Sequence, residues 1–262
     1  MPRPIVTLTT DFGLSDHFTG TMKGVILGIC PTAEIVDITH QVSAFEITEA
    51  TFVICEAYRY FPKKTVHVVV IDPGVGTARR PIVVEAAGQL FVAPDNGVLS
   101  MIYAREKHKV RAVTSHRHFL KPVSRTFHGR DIFAPTAAHL AAGARPATFG
   151  CLIQDYCRLR FAEPLRIGKR VWQGTVLKTD HFGNLITNLH VAEFPGLEGR
   201  SFQLLCGQVT ITHLNATFAE GAPGEPLLIV GSSGFLEIVA NQGSAAKILG
   251  LATGSPVDLT VW

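Results

Sequence analysis

The sequence predicts an α/β domain with a mostly parallel sheet, followed by a smaller all-β module of barrel-like form. Three observations carry this expectation. From residue 5 to about 145, short β-branched runs alternate with stretches of helical apolar periodicity, the pattern of strand–helix–strand units. After Gly150 the helical periodicity stops, and short β-like runs recur at the spacing of all-β modules, separated by turn residues. At 262 residues the chain exceeds the usual size of one core, and Glu163-Pro164 offers a break between the two patterns. Domains are therefore expected at 1–163 and 164–262.

Residues 5–9 read as the first strand. A helix is expected over 16–29, where Phe18, Met22, Val25, Ile26 and Ile29 share one face; Ser15 or Asp16 can cap it and Pro31 ends it. A second strand falls at 34–39, and a second helix at 47–61 stops at Pro62. Residues 66–71 form a β-branched run that reads as a buried third strand. Residues 81–86 and 90–93 look like a hairpin, Asp95-Asn96-Gly97 makes a turn, and a short helix follows at 98–104. The last helix of the first domain is expected over 131–142, with Gly143 as its C-cap. In the second domain, strands are expected at 170–179, 185–189, 201–205, 209–211, 227–230, 235–239 and 257–261.

Composition excludes several classes. The net charge of +3 is small, and the basic pairs Lys63-Lys64, Arg79-Arg80 and Lys169-Arg170 are isolated, so no nucleic-acid partner is expected. No apolar run is long enough to span a membrane, and Met1-Pro2-Arg3-Pro4 lacks signal-peptide features. Five cysteines without zinc-type pairs read as free thiols in a reducing cytoplasm. His67, His116, His118 and His139 lack metal-binding spacing, so neither metal nor cofactor is expected.

The chemistry-bearing residues sit where strands end. Asp72 follows the third strand in Ile71-Asp72-Pro73-Gly74-Val75-Gly76, with Arg79 and Arg80 close behind. Ligands of open α/β sheets bind beyond the carboxyl ends of strands. Asp11 follows the first strand in Thr10-Asp11-Phe12-Gly13; it can take the two hydroxyls of a ribose, or simply cap the next helix. His128 stands in Thr126-Phe127-His128-Gly129-Arg130-Asp131 at a helix entrance. Between two β runs of the second domain lies Asp180-His181-Phe182-Gly183-Asn184, in which Phe182 can stack on a base; Gly231-Ser232-Ser233-Gly234-Phe235-Leu236-Glu237 is a second polar turn. Neither a P-loop nor a dinucleotide fingerprint is present, which suits a nucleoside without a critical phosphate. Asp-Phe-Gly here lacks the other kinase motifs.

Taken in order, Thr-Asp-Phe-Gly-x-x-Asp at 10–16, Asp-Pro-Gly-Val-Gly at 72–76, Ala-Pro-Asp-Asn-Gly at 93–97, and the motifs at 126–131, 180–184 and 231–237 resemble the S-adenosyl-L-methionine (SAM) hydroxide adenosyltransferase family. That family is related to the fluorinating and chlorinating enzymes acting on the same substrate. The resemblance implies an Asp–Arg–His catalytic set at Asp72, Arg79 and His128, with Arg79 preferred over Arg80 for its spacing from the aspartate. It implies a ribose-binding Asp11, methionine-end ligands Asp16, Asp180 and Ser232, an adenine-binding Asn184, and Phe45 packed over the ligand. Asn96, Phe182 and Glu237, from the same motifs, complete the expected substrate contacts. A homotrimer with sites between subunits is implied as well.

The fluorinating enzymes carry Tyr at the Asp72 position and Ser at the Gly129 position, and have an insertion that is absent between Ala86 and Phe91. The expected reaction is therefore hydrolysis of SAM to adenosine and L-methionine, water attacking ribose C5′ in line with the sulfonium bond. Either Asp72 or His128 could accept the water proton. The alternatives are a halogenase or a non-catalytic SAM- or adenosine-binding protein.

Overall fold

The computed structural model describes residues 3–160 and 163–262. The chain divides into two compact units, Met1–Leu159 and Arg160–Trp262, a division a few residues ahead of Glu163-Pro164.

The first unit runs β1 (Ile5–Thr10), α1 (Phe18–Ile29), β2 (Glu34–Thr39), α2 (Ile47–Ala57), β3 (Val66–Val70), β4 (Pro81–Ala86), β5 (Gln89–Pro94), α3 (Ser100–Arg105), β6 (His108–Ala112), α4 (Ala134–Ala141) and β7 (Leu152–Ile153). These strands form one sheet in the order β2-β1-β3-β5-β4-β6-β7. The expectation of a mostly parallel sheet is corrected. β1 pairs in parallel with β2 and β3, and β3 with β5, but β4 is antiparallel to β5 and β6, and β6 to β7. The reversal starts at Ala87 and Gly88, both with positive φ (53° and 74°): so tight a turn joins only antiparallel strands.

The order has a consequence for function. β1 sits between β2 and β3, so the first crossover leads one way along the sheet and the second leads the other way. The carboxyl ends of β1 and β3 therefore flank a topological switch point, the usual ligand crevice of such sheets. Asp11 and Asp72 stand at those ends.

Valines and leucines of β1, β3, β4 and β5 pack with Met22, Ile26, Phe133 and Ala137 of the helical side to form the core. A polar ladder crosses it: Thr7 Oγ1 meets His67 Nδ1 at 2.7 Å, and His67 Nε2 meets Gln89 Oε1 at 3.3 Å. The Gln89 amide nitrogen donates to the carbonyls of Tyr58, Phe61 and Pro62, so its oxygen accepts from His67, and His67 carries its proton on Nε2.

Helix ends differ from expectation. α1 starts at Phe18, its N-cap is His17 without a side-chain cap bond, and Asp16 is exposed ahead of it. α2 gives way to a 3₁₀ turn at Tyr58–Tyr60. A π turn, Gly129–Phe133, precedes α4. Gly143 (φ 98°) closes α4 in a Schellman arrangement, with Gly143 N–H on Leu140 and Ala144 N–H on His139.

The second unit runs β8 (Leu165–Arg166), β9 (Val171–Thr179), β10 (Leu185–His190), β11 (Phe202–Cys206), β12 (Val209–Ile211), β13 (Leu214–Asn215), β14 (Pro226–Val230), β15 (Phe235–Ala240), α5 (Ala245–Leu249) and β16 (Pro256–Val261). One sheet, ordered β12-β11-β16-β9-β10-β15-β14-β13 with β8 on β9, carries every strand. Its pairs are antiparallel except β13–β14. Leu185, Leu189, Leu204, Leu236, Ile238 and Leu259 fill its concave core. The expected strands are all present. β8, β13 and α5 were not expected; α5 is capped by Ser244, whose hydroxyl accepts from Lys247 N–H. Among the described residues, no helix is long and apolar enough to cross a membrane, and all five cysteines are free.

Candidate active site

The switch-point crevice holds a cavity of about 300 Å³ whose wall includes Asp11, Asp72 and His128, with Phe12, Phe18 and Phe127 as its apolar face. Those three rings pack edge to face on one another. Arg79 is not on this wall. It stands behind Asp72 and His128 and ties them together: Nε donates to Asp72 Oδ1 at 2.8 Å, Nη2 donates to Asp72 Oδ2, and Nη2 also donates to His128 Nδ1 at 2.7 Å. The pair is nearly dry, with side-chain exposures of 5% for Asp72 and 9% for Arg79. The guanidinium also lies over the Phe133 ring. Arg80, its neighbour, turns away to Asp95 and Asp155.

This arrangement fixes the tautomer of His128. A guanidinium only donates, so Nδ1 accepts, and the neutral ring carries its proton on Nε2. Burial, then the positive charge of Arg79, push the His128 pKa below the ordinary value and keep the ring neutral; Asp72 opposes them. The loop before His128 is pinned by Asp131, whose carboxylate accepts Ser124 N–H at 2.8 Å and pairs with Arg130. Burial works against the ionised form of Asp131, but those bonds win and hold its pKa low. The loops of Asp72 and His128 touch through Gly76, where a Cβ would stand 2.4 Å from the Arg125 carbonyl oxygen.

Asp11 does not cap α1. Its Oδ2 accepts the N–H of Phe45 at 2.9 Å across the crevice mouth. Burial raises its pKa, the Phe45 N–H works against that, and the charge of Asp72 adds to it. Phe45 lines the cavity with a left-handed backbone (φ 69°), and the residue is 70% exposed. A bulky residue in that conformation costs about 1–2 kcal/mol, a strain typical of ligand clamps. Asp16 and Asn96 do not line the cavity. Asn96 is committed to backbone: its Nδ2 donates to the Ile71 carbonyl at 2.8 Å and its Oδ1 accepts Val98 N–H.

In the second unit, Phe182 and Asn184 line a cavity of about 490 Å³ together with Phe218 and Gln242. Phe182 is 74% exposed. Phe218, a second half-exposed ring, escaped the sequence reading because nothing around it in the chain marks it; only the fold sets it beside Phe182. Asp180 shapes this loop: Oδ1 accepts the N–H groups of Phe182 and Asn184, and Oδ2 accepts from the Asn184 amide. Glu237 is half-buried; burial, then the charge of Asp180, raise its pKa to about 7. Ser232 is exposed in a turn closed by Gly234 N–H on Gly231. A larger groove, about 1050 Å³, lies in the first unit where β1, β3 and β5 begin. It contains none of the expected site residues.

Fold and site together define an α/β enzyme-like unit whose switch-point crevice holds a carboxylate–guanidinium–imidazole set facing a second carboxylate, joined in one chain to a β module with an aromatic cavity. Residues 6–150 match the SAM hydroxide adenosyltransferase N-terminal domain and residues 174–258 match its C-terminal domain, and the chain belongs to that family. It is 38% identical to the (R)-S-adenosyl-L-methionine hydrolase of Salinispora tropica over 99% of this chain and 98% of that protein. A fluorinase of an Actinoplanes species is 29% identical, covering 98% of this chain and 97% of its own. A crystal structure of an uncharacterized conserved protein from Thermotoga maritima superposes with a TM-score of 0.86 at 36% identity, covering 98% of this chain and 99% of that one.

Proposed function

We propose that this protein hydrolyses SAM to adenosine and L-methionine, by in-line attack of water on ribose C5′. The observation that carries the reading is the Asp72–Arg79–His128 cluster at the switch point, with Asp11 across the same cavity. A thioether leaves as a neutral group and needs no acid. The task is to orient a weak nucleophile and to relieve it of a proton. Asp72 takes both roles. Each of its oxygens keeps a lone pair beyond the Arg79 bonds, whereas Nδ1 of His128 is occupied and Nε2 carries the proton. His128 then donates from Nε2 to the attacking oxygen. Arg79 touches neither water nor substrate and positions both groups.

Asp11 binds the ribose hydroxyls with the oxygen that Phe45 leaves open. Phe182, Phe218 and Asn184 suit a purine, with aromatic faces and an amide. Asp180, Glu237, Asp16 and Ser232 serve the methionine end, and Phe45 covers the ligand. The assembly in this reading is a cytoplasmic homotrimer in which each site draws on two subunits.

The halogenase reading has one observation in its favour, the fluorinase relative. At Gly129, however, a Cβ would come within 3.2–3.3 Å of Met22, Phe127 and Phe12, so a serine there needs repacking. Incubation with SAM in ¹⁸O-water, with and without chloride, tests the proposal. We expect adenosine labelled at the 5′ oxygen, at a rate indifferent to chloride. A 5′-halogenated nucleoside would establish the alternative chemistry, and bound SAM without turnover would establish a binder. Asp72→Ala and His128→Ala should each abolish most turnover while adenosine still binds.

A further inference from the structure

The loop from Asp72 to Arg79 carries two members of the cluster, and both of its ends are held by one turn. Just before Asp72, the carbonyl of Ile71 accepts from Asn96 Nδ2 at 2.8 Å. Just after Arg79, the carbonyl of Arg80 accepts the N–H of Asp95 at 2.8 Å. The Arg80 guanidinium returns to the Asp95 carboxylate, with Nη2 at 2.7 Å and Nε at 3.1 Å. Asp95 is nearly buried, with 5% side-chain exposure, and its other oxygen accepts Cys157 N–H at 2.7 Å. Arg80 Nη1 extends the clasp to Asp155 at 3.0 Å. Within the loop, apart from the Arg79–Asp72 ion pair, the backbone N–H groups make short-range turns: Val75 N–H on Asp72, Thr77 N–H on Gly74, and Arg79 N–H on the Thr77 hydroxyl. Such bonds shape the loop but do not anchor it.

We propose that Asp95 and Asn96 are positioning residues for the hydrolysis. They clamp the two ends of the Asp72–Arg79 loop, so that the carboxylate and the guanidinium keep their register with His128. This rests on the reading of Asp72 and His128 as the reacting groups. A reacting group displaced by about 1 Å loses on the order of 100-fold in rate, so slack at either end should appear in kcat. The clamp touches neither Asp11 nor the cavity of the second unit, so adenosine affinity should stay.

The experiment compares Asn96→Ala, the isosteric Asp95→Asn and Arg80→Lys with Asp72→Ala, measuring kcat, KM, adenosine affinity and the pH profile. We expect kcat to fall about 10- to 100-fold in Asn96→Ala and Asp95→Asn, with KM and adenosine affinity within about threefold. Arg80→Lys, which keeps the charge beside Asp95, should lose less kcat than Asn96→Ala or Asp95→Asn. The acid limb of the profile should move to higher pH, because burial still depresses the His128 pKa but a loosened Arg79 adds less to that depression. Added to Asp72→Ala, Asn96→Ala should cost nothing further in kcat. If Asp72→Ala collapses while both clamp variants keep wild-type kcat, the clamp is overturned and the site reading stands. Parallel losses of kcat, adenosine affinity and melting temperature, with an unmoved acid limb, would also overturn it, as a merely structural turn. Should Asp72→Ala keep wild-type turnover, the site reading fails and takes the clamp with it.

Discussion

Gly76→Ala isolates the geometric argument, because the glycine sits between the two loops of the site without touching the cavity. Its φ of 78° is left-handed, and a Cβ there would lie 2.4 Å from the Arg125 carbonyl oxygen. Real Cβ contacts begin at 3.0–3.4 Å, so the loops must part by about 0.6–1 Å. The obstacle is a backbone atom, which no rotamer change can move aside. The left-handed alanine costs about 1–2 kcal/mol, and the displaced packing about as much again. Parting the loops draws Arg79 away from His128 Nδ1, a contact of 2.7 Å. We expect kcat to fall about 10- to 100-fold with adenosine affinity nearly unchanged. Steady-state release of adenosine, calorimetric binding and thermal unfolding measure the three quantities. Gly196→Ala is the control: φ is 73° but nothing lies within 4 Å, so it should lose only the backbone term in stability. Wild-type kcat in a folded Gly76→Ala protein would refute the reasoning, as would an equal loss of kcat in Gly196→Ala.

Asp11→Asn should weaken adenosine binding by about 1–3 kcal/mol while barely affecting a 2′,3′-dideoxy analogue; equal weakening of both would make Asp11 a scaffold residue. Glu237 ionises as pH rises through about 7, so KM for the ammonium-bearing substrate should fall across that range, and Glu237→Gln should flatten the profile. An unchanged profile would remove Glu237 from the site. Burial lowers the His67 pKa from 6.5 to about 4, so the folded protein stays neutral there while the unfolded chain takes a proton. Stability from this group is full above pH 6.5 and should fall by about 3 kcal/mol as pH drops towards 4. Urea unfolding at both ends of the range, compared with His67→Gln, checks it; identical pH slopes would sink the assignment. Mixing Asp72→Ala and Asp180→Ala proteins under subunit exchange should restore part of the activity if sites draw on two subunits, and verified exchange without recovery would place each site within one chain.

The two-part organisation is legible in the chain alone, because apolar period and turn chemistry are local and change character after Gly150. The sequence also placed Asp11 and Asp72 at strand ends, since β-branched runs and the glycines after them are readable residue by residue. Pairing direction is another matter. The hairpin reading at 81–86 and 90–93 implies one antiparallel pair, but residues 108–112 carry little β-branched signal, and only the sheet showed them as a strand antiparallel to β4. Arg79 and Arg80 are chemically identical neighbours. Side-chain direction alone sends one to Asp72 and His128 and the other to Asp95. Asn96 matched a substrate-binding motif, yet its amide is spent on the Ile71 carbonyl, a partner 25 positions away in the chain. Charge shows the same limit. The basic pairs look scattered in sequence, but the starts of β1, β3 and β5 share one edge of the sheet. Folding therefore gathers Arg3, Lys63, Lys64, Lys107, Lys109 and Arg145 around a single groove. Composition and periodicity record what each segment prefers. Which side chains meet is set by strand order and by the direction each residue faces, and these exist only once the chain has packed.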